Sequence, residues 1–429
     1  MNISIINGSP DPQIGMLDQY VNNLCSYLEA RGNQVNHFIL RERDIRFCIG
    51  CFGCWVKTPG KCVVGDESAA MGRAVINSDF TLWAAPLRMG FPATLLKKAL
   101  DKHIPLIHPY FDVVHYEAHH RARSKKYPRL GLLLEREATT DQRDLEIISD
   151  IFSRTALNLK SRLEFCLLID DPIEKVAALI ERRSVQSMLA HPHPLLAPGG
   201  QIPSLRRLTV FNGSPRGRKG NTPILLSHFS KGFTSINGNN VEVFHLNRLN
   251  DLDSHRQAFA QAECVLLGFP LYTDAMPGMV KAFIDRLEAF GELEANPPIL
   301  FLVQSGFPEA AHSRYVQRYL EKLAERLHSP YLGTMVKGSG EGLRLMPEEM
   351  NTDLFENLQQ LGKGFAADGR LDPERLTKLS NRERYPRYLA PVYRLLAHTP
   401  LLNFYWDMQL KQNNAYERRF ARPYLEPGK

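Results

Sequence analysis

The feature that most constrains the fold of this chain is an internal repeat. Residues 2–10 read NISIINGSP and residues 208–215 read LTVFNGSP, so a short apolar strand followed by a Gly-Ser-Pro turn occurs twice. In both halves, further apolar runs alternate with helical patterns. These runs are residues 35–40, 80–86, 130–135 and 164–169, and then residues 241–246, 264–270, 299–306 and 333–338. Five near-continuous apolar strands alternating with helices predict, in each half, a parallel sheet covered on both faces.

The loop after the first strand of the second half concentrates hydrogen-bond donors and positive charge. Its side-chain donors are Ser214, Asn221 and Thr222, and its cations are Arg216, Arg218 and Lys219. A loop between a parallel strand and a helix also directs backbone N–H groups and the positive end of the helix dipole to one point. This combination suits a phosphate group. The loop is neither a Walker A motif nor G-x-G-x-x-G, and an ordinary Asn/Thr helix cap is the alternative interpretation.

Length and composition indicate an ordinary globular protein of more than one domain. The 429 residues exceed what one hydrophobic core commonly supports, and 44% of them are hydrophobic and 23% charged. No apolar run reaches the ~18–20 residues of a membrane span, and the first residues enter a strand instead of a secretion signal. We therefore predict a cytoplasmic protein without a membrane span. The net charge of +7 is modest and does not by itself imply a nucleic-acid partner.

The repeat and its interruptions predict four segments. Two α/β domains, residues 1–183 and 205–368, are joined by a Pro/Gly-rich linker at 184–204, whose His191 and His193 are interpreted as solvated. Residues 369–429 form a helical extension with twelve Lys/Arg against six Asp/Glu and many aromatic residues. Such composition can serve a membrane surface or single-stranded nucleic acid. We expect instead that its aromatic side chains pack on a protein surface.

Four of the seven cysteines are crowded into residues 48–62, which read CIGCFGCWVKTPGKC. This density indicates a metal or redox site in a reducing compartment more than a disulfide framework. C-x2-C-x2-C places three thiolates on one tight loop, able to reach three corners of a cubane, and the Thr-Pro-Gly turn returns Cys62 as a fourth ligand. Zinc is less natural, because structural zinc usually takes two separated cysteine pairs. Reduced, metal-free thiols remain the main alternative. Buried apolar positions are predicted for Cys25, Cys166 and Cys264.

Together with GFPLYTDAMPGMVKAFIDR after the third strand, the loop GSPRGRKGNT makes residues 205–365 resemble the flavodoxin-like NADPH-dependent FMN reductases and their quinone-reductase relatives. The resemblance implies a doubly wound five-stranded sheet of order 2-1-3-4-5, with FMN at the carboxyl ends of the strands. It places Ser214, Arg216, Asn221 and Thr222 on the phosphate, Pro270, Leu271, Tyr272 and Thr273 at the isoalloxazine edge, and Ser305 and Gly306 on the other side of the ring. From the residues alone, Tyr272 and Met276 are equally interpretable as packing residues.

Residues 1–171 resemble the same superfamily, and the cysteine loop looks like that of the iron–sulfur flavoproteins. This implies a [4Fe–4S] cluster held by Cys48, Cys51, Cys54 and Cys62. The first half departs from the family where the FMN phosphate should lie, because Asp11 replaces Arg216 and Met16-Leu17 replaces Asn221-Thr222. Glu135-Arg136-Glu137 stands where the second half has Ser-Gly. We therefore expect the first half to bind FMN poorly.

Other polar residues receive structural interpretations. Asp66 is predicted to cap the helix that follows it. Five histidines lie in an insertion before the fourth strand without the spacing of a zinc signature, and we expect them to be solvated or to line a pocket mouth. They are His103, His108, His115, His119 and His120.

The function implied is that of an NAD(P)H-dependent FMN oxidoreductase, with the two halves forming an internal pseudo-dimer or the chain a homo-oligomer. No catalytic side chain is predicted, because the flavin N5 accepts the hydride from NAD(P)H without a protein acid or base. The electron acceptor would be a quinone, another flavin or a redox protein, reached directly or through the cluster. A non-catalytic flavodoxin-like electron carrier and a cofactor-free scaffold are the alternatives.

Overall fold

The computed structural model describes residues 1–114, 116–182, 187–192, 194–203, 205–344 and 346–425. The chain forms two compact units, Met1–His191 with Pro386–Lys429, and Pro192–Tyr385. The predicted extension is thus divided between the units at residue 386. His115, His193, the predicted domain end at residue 183, and both ends of the predicted linker lie outside the described residues.

A parallel sheet organises the first unit. Its strands are β1 (Asn2–Asn7), β2 (Gln34–Ile39), β3 (Phe80–Arg88), β4 (Phe91–Pro92), β5 (Ile107–Val114), β6 (Glu117–Ala122), β7 (Arg129–Glu135) and β8 (Leu163–Leu168). Five of them pair in parallel in the order β2-β1-β3-β7-β8. The short β4 pairs antiparallel with β3, and β5 and β6 form an antiparallel hairpin inside the insertion. The chain order of the five parallel strands gives the predicted 2-1-3-4-5 arrangement.

Helices cover this sheet because their apolar residues recur at helical spacing. They are α1 (Met16–Ala30), α2 (Gly53–Val56), α3 (Ser68–Asn77), α4 (Thr94–Leu100), α5 (Gln142–Asn158) and α6 (Ile173–Glu181). Val21 and Leu24 of α1 and Val176 of α6 join Ile3 and Ile5 of β1 in one core cluster. Spacings of three and four residues place such side chains on one face of each helix.

The second unit repeats the same plan. Its strands are β9 (Arg207–Asn212), β10 (Asn240–His245), β11 (Val265–Pro270), β12 (Ile299–Gln304) and β13 (Tyr331–Lys337), and its helices are α7 (Thr222–Phe233), α8 (Leu252–Ala260), α9 (Gly278–Arg286), α10 (Ala311–Arg326), α11 (Thr352–Asp368) and α12 (Pro373–Ser380). All five strands pair in parallel in the order β10-β9-β11-β12-β13. Both units therefore have the doubly wound, flavodoxin-like topology that the sequence predicts. In such sheets, ligand-binding loops gather at the carboxyl ends of the strands.

The end of the chain packs against the first unit through α13 (Ala390–Ala397), α14 (Pro400–Gln412) and the residues after them. Trp406 of α14 meets Phe52 and Trp55 edge-on, with ring centroids 5.6 Å and 5.3 Å away. Beside it, Tyr110 donates a hydrogen bond to Asp407 at 2.7 Å. Trp406 and Tyr424, which are 9% and 4% exposed, thus add to the core of the first half, whereas Tyr388 and Phe404 are 78% and 67% exposed. Among the described residues, none of the helices combines the length and apolarity needed to cross a bilayer.

The histidines of the insertion are more enclosed than the sequence suggests. His103 and His119 are fully buried and His108 is 5% exposed, so the expectation that they are solvated is wrong for these three. His103 Nδ1 lies 3.1 Å from the carbonyl oxygen of Ala99, and His119 Nδ1 lies 2.6 Å from Asn158 Oδ1. Burial lowers the pKa of His103 to about 4. It is therefore neutral at physiological pH, which satisfies burial at a lower cost than a charge would.

Candidate functional site

The loop between β9 and α7 is held in a tight, defined shape. Asn212, at the end of β9, accepts a hydrogen bond from the Ser214 N–H at 3.1 Å and donates to the Gly217 carbonyl at 3.3 Å. Gly217 has a φ of +55°, in the left-handed region that glycine adopts without strain. A Cβ added at Gly220 would lie 2.0 Å from Ser214 Oγ. Both glycines are therefore needed for the loop to fold back on itself.

Buried donors at the start of α7 have unused hydrogen-bonding capacity. Ser214 and Asn221 are each 2% exposed and Thr222 is fully buried. Among the described residues, Asn221 Oδ1 and Thr222 Oγ1 have no hydrogen-bond partner. A buried hydroxyl without a partner costs about 1–3 kcal/mol. A phosphate oxygen at the N-terminus of α7 would accept a hydrogen bond from the Thr222 hydroxyl, so this cradle fits a phosphate group. Asn221 Oδ1 is itself an acceptor and would need a donor instead.

Charged residues surround the same cradle, and two of them come from a segment that sequence reasoning missed. The Arg216 guanidinium lies 2.7 Å from the carboxylate of Glu341. Arg344 donates to the Gly220 carbonyl at 3.1 Å and to the Arg218 carbonyl at 2.9 Å. Both residues belong to the 3-10 turn Gly340–Arg344, directly after β13. Their place after the last strand of the sheet was the one sequence signal that pointed to this edge.

The predicted ring-contacting residues lie on the next two loops of the same edge. Pro270 ends β11, and the Leu271 N–H then donates to the Gln304 carbonyl of β12 at 2.7 Å. Tyr272 and Ala275 exchange two backbone hydrogen bonds, of 2.8 and 3.0 Å. Between them, Thr273 and Asp274 have φ angles of +42° and +58°. Two successive non-glycine residues in this region form a rigid, strained turn, and such turns cluster at binding sites.

The loop after β12 completes this edge. The Ser305 N–H donates to the Lys337 carbonyl at 3.0 Å, and the Ser305 carbonyl accepts from the Gly340 N–H at 2.7 Å. Gly306, next to it, is exposed. All ten predicted cofactor residues thus lie at the carboxyl ends of β9, β11 and β12. Met276, which the sequence left open, is fully buried and is a packing residue.

The first half repeats the backbone of the cradle but fills it with its own carboxylate. The Ser9 N–H donates to Asn7 Oδ1 at 3.0 Å, as Ser214 does to Asn212. Asp18, in the first turn of α1 and 2% exposed, accepts from Asn7 Nδ2 at 2.7 Å and from Arg41 at 2.8 Å. Burial alone would raise the pKa of Asp18, but the hydrogen bonds from Arg41, Asn7 and the Gly15 N–H outweigh it and hold the pKa below its ordinary value.

Asp18 is the residue that the sequence comparison of the two halves overlooked. Asp11, which that comparison singled out, is exposed and accepts a hydrogen bond from the Gln13 N–H at 2.9 Å. Met16 is 67% exposed. The internal anion at the N-terminus of α1 is therefore Asp18, in the first turn of the helix. The presence of this carboxylate supports the expectation that this half binds FMN poorly.

The four clustered cysteines lie on one loop around the short helix α2. All four are free thiols, and Cys51 is exposed while the other three are half-buried. Burial raises the pKa of Cys54, and the neighbouring Cys48, Cys62 and Cys51 raise it further. Thiols with raised pKa values stay protonated unless a metal ion displaces the proton.

Buried cations lie beside this loop. Lys102 Nζ is 3.7 Å from Cys62 Sγ and 2.8 Å from the Asp66 carboxylate. Burial lowers the pKa of Arg123 to about 10, and the adjacent Cys54 opposes this shift. Asp66 also accepts a hydrogen bond from the Ser68 N–H at 3.1 Å. The N-cap of α3 is Glu67, however, so Asp66 lies one residue before the position predicted for it.

The end of the chain covers one side of the cysteine loop. Arg123 donates to the carbonyl groups of Arg419 and Ala421, at 3.0 and 2.9 Å. The Tyr424 hydroxyl accepts from the Cys62 N–H at 3.3 Å. The donor set and its cationic surroundings fit a negatively charged metal–thiolate cluster.

The fold defines the second half as a flavodoxin-like α/β domain. Residues 206–337 match the family described as NADPH-dependent FMN reductase. The second half of the chain carries a domain of this family.

Individual proteins that resemble this chain share low sequence identity with it. The chain is 26% identical over 106 residues to an iron-sulfur flavoprotein of Methanocaldococcus jannaschii, a match that covers 25% of this chain and 53% of that protein. The chain thus spans about half the length of this curated relative. An azoreductase from Bacillus anthracis shares 15% identity, with 38% of this chain and 100% of that one covered and a TM-score of 0.31. The Trp repressor binding protein from Bacillus subtilis shares 19% identity, with 36% and 96% covered and a TM-score of 0.28.

Proposed function

We propose that the protein is a flavin-dependent NAD(P)H oxidoreductase whose second half binds FMN. The observation that carries this proposal is the cradle at the start of α7, where the Thr222 hydroxyl is buried without a hydrogen-bond partner among the described residues. The family match over residues 206–337 supports the same ligand. A phosphate there would accept from Ser214, Thr222 and the guanidinium of Arg216.

The remaining predicted residues would orient the flavin ring. The hydrogen-bonded turn from Tyr272 to Ala275 is rigid, so it provides a fixed edge next to which a planar ring can lie. Ser305 and exposed Gly306 offer polar and open surface on the neighbouring loop. When bound, FMN supplies an acceptor for the hydride of NAD(P)H. The protein contributes binding, orientation and electrostatics, and no side chain has to act as an acid or base.

The test is the absorption spectrum and flavin content of the full-length protein purified without oxygen. We expect about one FMN per chain, because the second half offers one such cradle and the first half is expected to bind FMN poorly. The double variant Thr222→Leu with Arg216→Asp should lose it. Ser9→Ala is the matched control, because Ser9 holds the equivalent position in the first half, and it should retain full flavin. Loss of flavin in Ser9→Ala with retention in the double variant would refute the proposal.

NAD(P)H oxidation separates an enzyme from an electron carrier. An oxidoreductase should oxidise NADH or NADPH in the presence of a quinone, a flavin or a redox-protein acceptor. A protein that holds FMN and oxidises neither nucleotide with any acceptor would be a flavodoxin-like electron carrier instead.

We further propose that Cys48, Cys51, Cys54 and Cys62 hold a [4Fe–4S] cluster. Four free thiols on one loop beside Lys102 and Arg123 support it, since buried cations offset the negative charge of a thiolate-bound cluster. The curated relative is named as an iron-sulfur flavoprotein, which agrees with this assignment.

Iron and sulfide analysis decides the cluster separately from the flavin. The wild type should contain both elements, and Cys51→Ala with Cys54→Ala should contain neither. Cys166→Ala, in β8, is the control and should keep them. A wild type without iron would refute the cluster and leave the flavin proposal unchanged.

A further inference from the structure

The 3-10 turn Gly340–Arg344 brings a carboxylate into the cradle proposed to hold the flavin phosphate. Glu341 lies 2.7 Å from Arg216 Nη2, and its carboxylate also accepts from Asn221 Nδ2 at 3.4 Å. The Glu341 backbone carbonyl accepts from the same Asn221 amide at 3.2 Å. A carboxylate and a phosphate compete for the same charge-assisted donors. Glu341 therefore makes contacts that a bound phosphate would take.

The first half contains an independent example of the same arrangement. There, Asp18 places a carboxylate at the N-terminus of α1, next to Asn7 and Arg41. Asp18 belongs to the helix itself and is almost fully buried. Glu341 differs in both respects. It lies on a short turn outside the helices, and its side chain is 20% exposed.

Arg344 anchors the turn on which Glu341 lies. Its guanidinium holds the carbonyl groups of Gly220 and Arg218, which are part of the cradle loop itself. At the other end of the turn, the Gly340 N–H donates to the Ser305 carbonyl at 2.7 Å. The turn is thus held at both ends, while the Glu341 side chain can rotate away from Arg216.

We propose that Glu341 is an internal competitor of the flavin phosphate and sets the affinity of the site for FMN. The inference rests on the proposed function of this site. Entry of a phosphate moves the Glu341 carboxylate away from Arg216 and Asn221. Because the competition concerns the phosphate alone, Glu341 lowers the affinity for FMN without changing the affinity for riboflavin, which has the same ring and no phosphate.

The experiment measures FMN and riboflavin dissociation constants of the full-length, flavin-free protein by quenching of flavin fluorescence. In Glu341→Gln the dissociation constant for FMN should fall about tenfold, the size expected when a partly exposed competing charge is removed. The constant for riboflavin should stay within a factor of two of the wild type. Glu349→Gln is the matched control, because it removes an exposed carboxylate from the next segment of chain. It should behave as the wild type with both flavins.

Each other outcome overturns the inference in a recognisable way. If Glu341→Gln and Glu349→Gln bind FMN equally, or if FMN and riboflavin shift together, the carboxylate does not compete with the phosphate. Weaker FMN binding by Glu341→Gln would show that Glu341 contacts the ligand directly. In all these cases FMN still binds, so the proposed function stands. If no variant binds either flavin, the proposed function fails and this inference fails with it.

Discussion

Replacing Thr222 by valine should change stability and flavin affinity in opposite directions. Thr222 is fully buried and its hydroxyl has no hydrogen-bond partner among the described residues. Valine has nearly the same shape, so it removes the unsatisfied hydroxyl without leaving a cavity. A buried polar group without a partner costs about 1–3 kcal/mol, so the flavin-free variant should gain about 1 kcal/mol in its free energy of unfolding. The same change removes a hydrogen bond to a charged phosphate, worth about 1.5–3 kcal/mol.

The second loss corresponds to an FMN dissociation constant raised by about ten- to over a hundredfold. Urea unfolding of the flavin-free protein and FMN titration measure the two effects separately, and an unchanged urea slope would show that stability alone has shifted. Thr81→Val is the matched control, because Thr81 in β3 of the first unit is also fully buried and its hydroxyl has no partner within the part of the chain that the structure describes. It should gain similar stability and bind FMN as the wild type does. Unchanged FMN affinity in Thr222→Val would refute the assignment of this hydroxyl to the phosphate.

Three further predictions concern the cradle and the first unit. Gly220→Ala should weaken FMN binding at least tenfold, because its Cβ would lie 2.0 Å from the Ser214 hydroxyl. Gly15→Ala is the control: Gly15 holds the equivalent position in the first half, a Cβ there would meet nothing within 4 Å, and FMN binding should not change. FMN titration compares the two variants. The lowered pKa of Asp18 adds stability that is complete above the ordinary carboxyl pKa and is lost as the pH falls through the folded-state pKa. Asp18→Asn should therefore be less stable than the wild type at neutral pH and should lose less stability on acidification. Urea unfolding midpoints between pH 7 and pH 3 measure both effects. Trp406→Ala should lower the free energy of unfolding of the first unit by about 3–5 kcal/mol, because it removes a 9% exposed indole packed on Trp55. The unfolding transition followed by near-ultraviolet circular dichroism measures this decrease.

Much of the fold follows from local patterns in the sequence. The ten predicted strands, five in each half, are close to the observed parallel strands. For example, the run 80–86 corresponds to Phe80–Arg88 and the run 299–306 corresponds to Ile299–Gln304. Strand ends shifted by a few residues because polar residues at the edge of a sheet join or leave the ladder according to their neighbours. The hairpin of β5 and β6 was not predicted, since its strands carry histidines and charges instead of an apolar alternation.

The candidate site divides in the same way. The loop after β9 was identifiable because its donors and cations are adjacent in the sequence, and a strand–loop–helix unit places them together wherever it occurs. Glu341 lies 125 residues from Arg216, and its position after the last strand is the only sequence signal that places it at this edge of the sheet. The comparison of the two halves found the loss of donors in the first half but chose Asp11. Only the helical geometry of α1 brings Asp18 to Asn7 and Arg41.

The sequence by itself determined two doubly wound sheets, the loop that offers donors to a phosphate, and the crowding of four cysteines, because each is a pattern within a few tens of residues. Tertiary structure alone decided which carboxylates meet those donors and which cations lie beside the cysteines. It also placed the aromatic end of the chain on the first half, where Tyr110 meets Asp407 across 297 residues. Apolar periodicity specifies how a segment folds and which face it buries. The meeting of two polar side chains from distant loops depends on how complete sheets and helices position those loops, and no local pattern encodes that.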